Sequence, residues 1–182
     1  MLNWEYFVEL FIGGLTRGSM YALIALGYTM VYGIIQLINF AHGEFYMIGA
    51  FTALIVTGVL TLMGWNSIAI LFIAAAIAVV YSSAYGYTVE KIAYKPLRHA
   101  PRLSALISAI GMSLFLQNYV LLAQTSDFLP FPALIPDFKW LEPWEHIVRS
   151  SEIVIFATTA IVMVLLTFLI KFTRIGKAMR AT

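Results

Sequence analysis

"FYMIGAFTALIVTGVLTLMGWNSIAILFIAAAIAVVYSSAYGY", Phe45 to Tyr87, decides the architecture. Two long apolar runs flank the link Gly64-Trp65-Asn66-Ser67. A bilayer core of about 30 Å needs roughly 20 apolar residues in a helix, so each run is long enough to cross it. The link is tight and polar, as a turn between two crossings should be.

The rest of the chain has the same character. Of 182 residues, 62% are hydrophobic and 11% charged, whereas a soluble domain carries about 25% charged residues and about 45–50% apolar ones. This composition places the chain in the membrane class and predicts an all-α, polytopic transmembrane helix bundle. Five segments qualify as spans: about Phe7–Ile35, Phe45–Met63, Ile68–Tyr87, Ser104–Ala123 and Ile153–Ile170. Residues 1–182 are expected to form one transmembrane domain, with 124–152 as an extracytoplasmic loop. At about 1.5 Å per residue the first segment is over 40 Å long, so it tilts, protrudes, or breaks at Gly13-Gly14, Gly27 or Gly33. The chain shows no internal repeat and no low-complexity tract.

Basic residues set the orientation. Lys91, Lys95, Arg98 and Arg102 follow the third span, and Lys171, Arg174, Lys177 and Arg180 follow the fifth. Both stretches are expected in the cytoplasm, with two spans between them. The intervening loop carries Asp127, Asp137, Glu142, Glu145 and Glu152 against Lys139 and Arg149, and is expected outside. Counting back through three crossings puts the N-terminus outside too. Trp4, Trp65, Trp140 and Trp144 then lie at the outer face, where amphipathic rings anchor. Two half-spans in place of the first crossing would flip the N-terminus. "MLNWEYFVEL" lacks a basic leader and carries Glu5 and Glu9, so no cleaved signal peptide is expected.

Small residues recur every four positions: Gly14, Gly18 and Ala22; Ala74, Ala78, Ser82 and Gly86; Ala105, Ala109 and Ser113. They let helix backbones approach closely, because dispersion and interhelical hydrogen bonds drive association in lipid. These are expected packing faces, which predict neighbours and not a substrate.

Catalytic classes fail on inspection. The chain has no cysteine, which excludes disulfides, thiolate metal sites and a cysteine nucleophile. His42-Gly43-Glu44 has the His-x-Glu form of zinc deaminases but no partner cysteines. Neither an H-E-x-x-H helix nor a G-x-x-x-x-G-K loop is present. His99 and His146 fall on opposite sides of the membrane in the expected topology. No metal, no cofactor and no enzymatic activity are therefore expected. The net charge of +2 is small; no nucleic-acid partner is expected, and membrane lipid surrounds the spans.

"QLINFAHGEFYMIGA", Gln36 to Ala50, lies between the first two apolar runs. Asn39 can cap a helix beginning at Phe40 or Ala41, its side-chain oxygen accepting an orphan N–H of the first turn. Gly43 allows close backbone approach. The stretch reads as a helix break near the inner membrane face, and a break is tolerable only in water or against protein. Glu44 at the bilayer midplane would cost roughly 2.5–3.5 kcal/mol, so it does not face lipid. Two readings stay open: His42 and Glu44 sit wet at the cytoplasmic interface, or Asn39, His42, Gly43 and Glu44 line a translocation path or a seam between subunits. Arg17, two turns inside the first span, is expected to snorkel outward.

"GSMYALIALGYTMVYGIIQLINFAHGEFYMIGA", Gly18 to Ala50, closely resembles the start of permease subunits of bacterial branched-chain amino-acid ABC transporters, the LivH type. "ALISAIGMSLFLQNYV", Ala105 to Val120, looks like their fourth-span segment, and "RIGKAMRA", Arg174 to Ala181, like the stretch entering their main cytoplasmic loop. The resemblance implies a multi-pass permease subunit of the bacterial inner membrane. Its implied partners are a second, related permease subunit, two cytoplasmic ATP-binding subunits that hydrolyse ATP, and a periplasmic amino-acid-binding protein that delivers leucine, isoleucine or valine. Related permeases for urea, short amides or other amino acids have similar segments and remain an alternative. Family members continue past Thr182 with further spans, so the chain resembles the N-terminal part of a permease. A truncated, non-transporting membrane partner is the other reading.

Overall fold

The structure, a computed structural model, describes residues 4–35, 38–97, 100–125, 127, 129–136, 148–173 and 176. Five helices are long and apolar enough to cross a membrane, and the described residues contain no strand. They are α1 (Trp4–Ile35), α2 (His42–Leu62), α3 (Ser67–Val89), α4 (Arg102–Ala123) and α5 (Ser150–Phe172). Arg98, His99, the Arg102 side chain, the loop charges from Asp137 to Glu145, Trp140, Trp144, His146 and the basic stretch from Arg174 lie outside the described residues.

Each boundary has a local cause. The link between α2 and α3 is two caps back to back. Gly64 has a φ of 75°, a conformation that costs other L-residues about 1–2 kcal/mol. Its N–H bonds the Thr61 carbonyl at 3.0 Å and that of Trp65 reaches Leu60 at 3.2 Å; this pair closes a helix C-terminus. Asn66 then opens α3, its Oδ1 accepting the Ile68 N–H at 2.9 Å. At α5 the Arg149 N–H donates to Glu152 Oε2 at 3.2 Å, which is half of a capping box. That contact starts the helix three residues before the expected Ile153 and makes Glu152 a first-turn residue.

The first span is one unbroken helix of 32 residues, about 48 Å long at 1.5 Å per residue. None of its glycine positions is a break. The third span runs on past Tyr87 as a wide π-helical turn, Glu90–Tyr94, and a tight 3-10 turn, Lys95–Leu97. Pro96, which lacks an N–H and crowds the preceding turn, explains why the helical run ends at Leu97.

Hydroxyls inside the spans are mostly satisfied by their own helix. Thr16, Thr52, Thr61, Thr158 and Thr167 each donate to the carbonyl four residues earlier, at 2.7 to 3.0 Å, which lets them sit in apolar surroundings at little cost. Thr57 differs from these. It is fully buried, and its Oγ1 has no partner.

The chain divides into two compact units, Met1–Ile35 with Ile135–Thr182, and Gln36–Leu134. In the first, α1 packs on α5. A Cβ added at Gly13 would lie 3.7 Å from Glu152 Oε1, so the helices approach closely there. In the second, the α2–α3 hairpin packs with α4 around Ala41, Ile48, Val89, Leu116 and Val120.

Candidate functional site

The start of α2 is tied to the other helices of the second unit by side-chain hydrogen bonds. Asn39 Oδ1 accepts the Ala41 N–H at 3.1 Å, and the Asn39 carbonyl accepts the His42 N–H at 3.1 Å. The side chain thus takes an orphan amide two residues on, while regular helix begins at His42 instead of Phe40 or Ala41. The same Oδ1 receives the Tyr94 hydroxyl at 2.7 Å. Tyr94 comes from the π turn, where the neighbouring Ala93 carbonyl accepts the Ser108 hydroxyl of α4 at 3.2 Å. One irregular turn therefore holds both the entry to α2 and the first half of α4.

Glu44 lies one turn further on. Only 9% of it is exposed. Its Oε1 accepts from Ser113 Oγ at 2.9 Å and from Gln117 Nε2 at 2.7 Å. Gln117 Nε2 is also 3.5 Å from Ser113 Oγ. Ser113 and Gln117 are four apart on α4 and so share a face. The carboxylate is therefore not a wet interfacial group within its unit. His42 is half-buried, and Gly43 is exposed, with open space where a Cβ would stand.

The level of this cluster follows from its partners. The Phe45 carbonyl accepts the Ser82 hydroxyl at 2.8 Å, and Ser82 lies midway along the continuous span Ser67–Leu97. Ser113 is likewise near the middle of α4. Glu44 and Phe45 are thus level with inner positions of α4 and the third span, while Asn39 is level with the end of that span at Tyr94.

The small-residue stripes fall differently in the two units. Ala74, Ala105 and Ala109 are buried, Ala78 and Gly86 half-buried, and Ser82 and Ser113 make the bonds given above. A Cβ at Gly49 would lie 3.7 Å from Ser82, which marks the close α2–α3 contact. Gly14, Gly18 and Ala22 are exposed in the first unit, the two glycines facing open space; there Gly13 meets α5. Among the described residues no group of three His, Asp or Glu could hold a metal. Sequence reasoning missed Tyr94, Ser108 and Gln117. Gln117, an amide four residues from Ser113, was legible; the other two depend on the π turn.

The family model described as branched-chain amino acid transport system / permease component matches residues 10–182. The high-affinity branched-chain amino acid transport system permease protein BraD of Pseudomonas aeruginosa is 48% identical over 180 residues, covering 97% of this chain and 59% of BraD. The corresponding LivH proteins of Salmonella typhimurium and Escherichia coli are each 45% identical, over 97% of this chain and 58% of their own length. The chain thus spans somewhat over half the length of these curated relatives. No solved structure matches it significantly. With the family model covering nearly the whole chain and five membrane-length helices in place, this chain belongs to the family of branched-chain amino acid transport permeases.

Proposed function

We propose that the chain is a transmembrane permease subunit of a bacterial inner-membrane ABC importer that carries branched-chain amino acids inward. The observation that carries this reading is the 45–48% identity to BraD and LivH across 97% of the chain. In this reading a periplasmic binding protein delivers leucine, isoleucine or valine. A second, related permease subunit completes the pathway, and cytoplasmic ATP-binding subunits hydrolyse ATP. The break from Asn39 to Glu44 lines the path or the seam with the sister subunit. It is supported by its level in the second unit and by the recurrence of interrupted, polar-ended helices in transport pathways.

Uptake by the assembled importer tests the reading. Labelled leucine should be taken up by cells dependent on this permease, with isoleucine and valine competing and urea not. Competition by urea with no effect of valine would shift the substrate class to amides. Gly43→Leu should abolish uptake while membrane insertion stays normal, because the added side chain enters open space in the fold and obstructs whatever passes there. Normal uptake in that variant would remove the break from the pathway.

A further inference from the structure

The Glu44 cluster is one-sided. Both donors converge on Oε1, from Ser113 and Gln117, and Oε2 takes no hydrogen bond among the described residues. Oε2 is not sealed in, since Thr57 Oγ1 is the only buried and unpartnered side-chain atom there. No described Lys or Arg lies within ion-pair reach of Glu44. A mostly buried carboxylate with only neutral donors is an incomplete arrangement, because charges inside a membrane protein pair with an opposite charge or face a polar path. Beside it, Gln117 is exposed, and its amide spends its N–H groups on Glu44 and Ser113. Its carbonyl oxygen is left without a partner. The surface of the cluster therefore presents two acceptors, one of them charged, and no donor.

That set is complementary to an ammonium group, a compact charge with three N–H donors. We propose that Glu44 Oε2 and the Gln117 carbonyl receive the α-ammonium of an amino acid in transit, Ser113 and the Gln117 amide holding the carboxylate in place. The inference rests on the transport reading above. An amino acid fits better than a basic side chain of a neighbouring subunit because of Gly43. It is exposed, space is open around it, and its N–H has no acceptor among the described residues. An amino-acid carboxylate supplies that acceptor; a lysine or arginine does not.

The test uses the complete importer, with its sister permease, ATPase subunits and binding protein, reconstituted in proteoliposomes with labelled leucine. Glu44→Gln keeps the shape and the Oε1 acceptor for Ser113 and Gln117 but removes the charge. Leucine moved per ATP hydrolysed should fall about ten- to a hundredfold, the range for losing a charge-assisted hydrogen bond. Gln117→Met, at an exposed position, should lower the same ratio by about tenfold and decides the matter if Glu44→Gln fails to fold. Wild-type ratios in the variants overturn the proposal. So does loss of the sister permease on purification of Glu44→Gln, which assigns the cation to a subunit seam. A wild-type importer that moves no leucine refutes the transport reading instead, before any variant is compared.

Discussion

Asn39 shows how much one side chain can organise. Its Oδ1 is shared between the Ala41 amide and the Tyr94 hydroxyl, so it ends one backbone irregularity and ties it to another on a different helix. Tyr94→Phe removes a single hydroxyl and leaves the ring in place. Interhelical hydrogen bonds in membrane proteins are worth about 0.6 kcal/mol on average, and a change of about 1 kcal/mol moves Tm by roughly 2–4 °C in a chain of this size. Tyr94→Phe should therefore lower the Tm of the purified permease by about 1–3 °C and reduce uptake less than Gly43→Leu does. A Tm unchanged within error would mean that Asn39 holds the turn through Ala41 alone. Of this site, Asn39, His42, Gly43 and Glu44 were legible because ionisable and capping residues stand out between apolar runs. Tyr94 was not, since nothing local links it to a residue 55 positions earlier in the chain.

Helices carry a different kind of information. Hydropathy marks where a segment can meet lipid, and for that reason the five spans were readable from composition alone. It does not mark where a helix ends. Lys91 and Lys95 are compatible with helix, so the third span continues to Leu97 until Pro96 intervenes, and Glu152 extends α5 backward by capping it. Four-residue spacing of small residues is likewise readable as a stripe, but the stripe does not say which neighbour it meets. Ala105 and Ala109 are buried in their unit, whereas Gly14 and Gly18 face open space. Within α2, Thr57 breaks the rule that span hydroxyls bond their own helix. A buried, unpartnered hydroxyl costs about 1–3 kcal/mol, and valine is close in shape. Thr57→Val should therefore raise Tm by about 2–12 °C in detergent and leave uptake unchanged. A fall in Tm would reveal a partner for the hydroxyl in the assembled protein.

For the whole chain, the decisive property is which end of each helix faces the cytoplasm. Charge placement predicts the α2–α3 link outside and the end of α3 inside. α1 is one unbroken helix and not the pair of half-spans under which the N-terminus would flip. The absence of cysteine makes the prediction easy to test, because each introduced thiol reports by itself. Ser67, Lys95 and Glu5 are all exposed. In intact spheroplasts a membrane-impermeant maleimide should label Ser67→Cys and Glu5→Cys at once and Lys95→Cys only after lysis. Labelling of Lys95→Cys from outside would invert the chain and place the acidic loop in the cytoplasm. Protection of Glu5→Cys alone would mean that α1 lies along the membrane, and the count of crossings before the Asn39–Glu44 break would change from one to none.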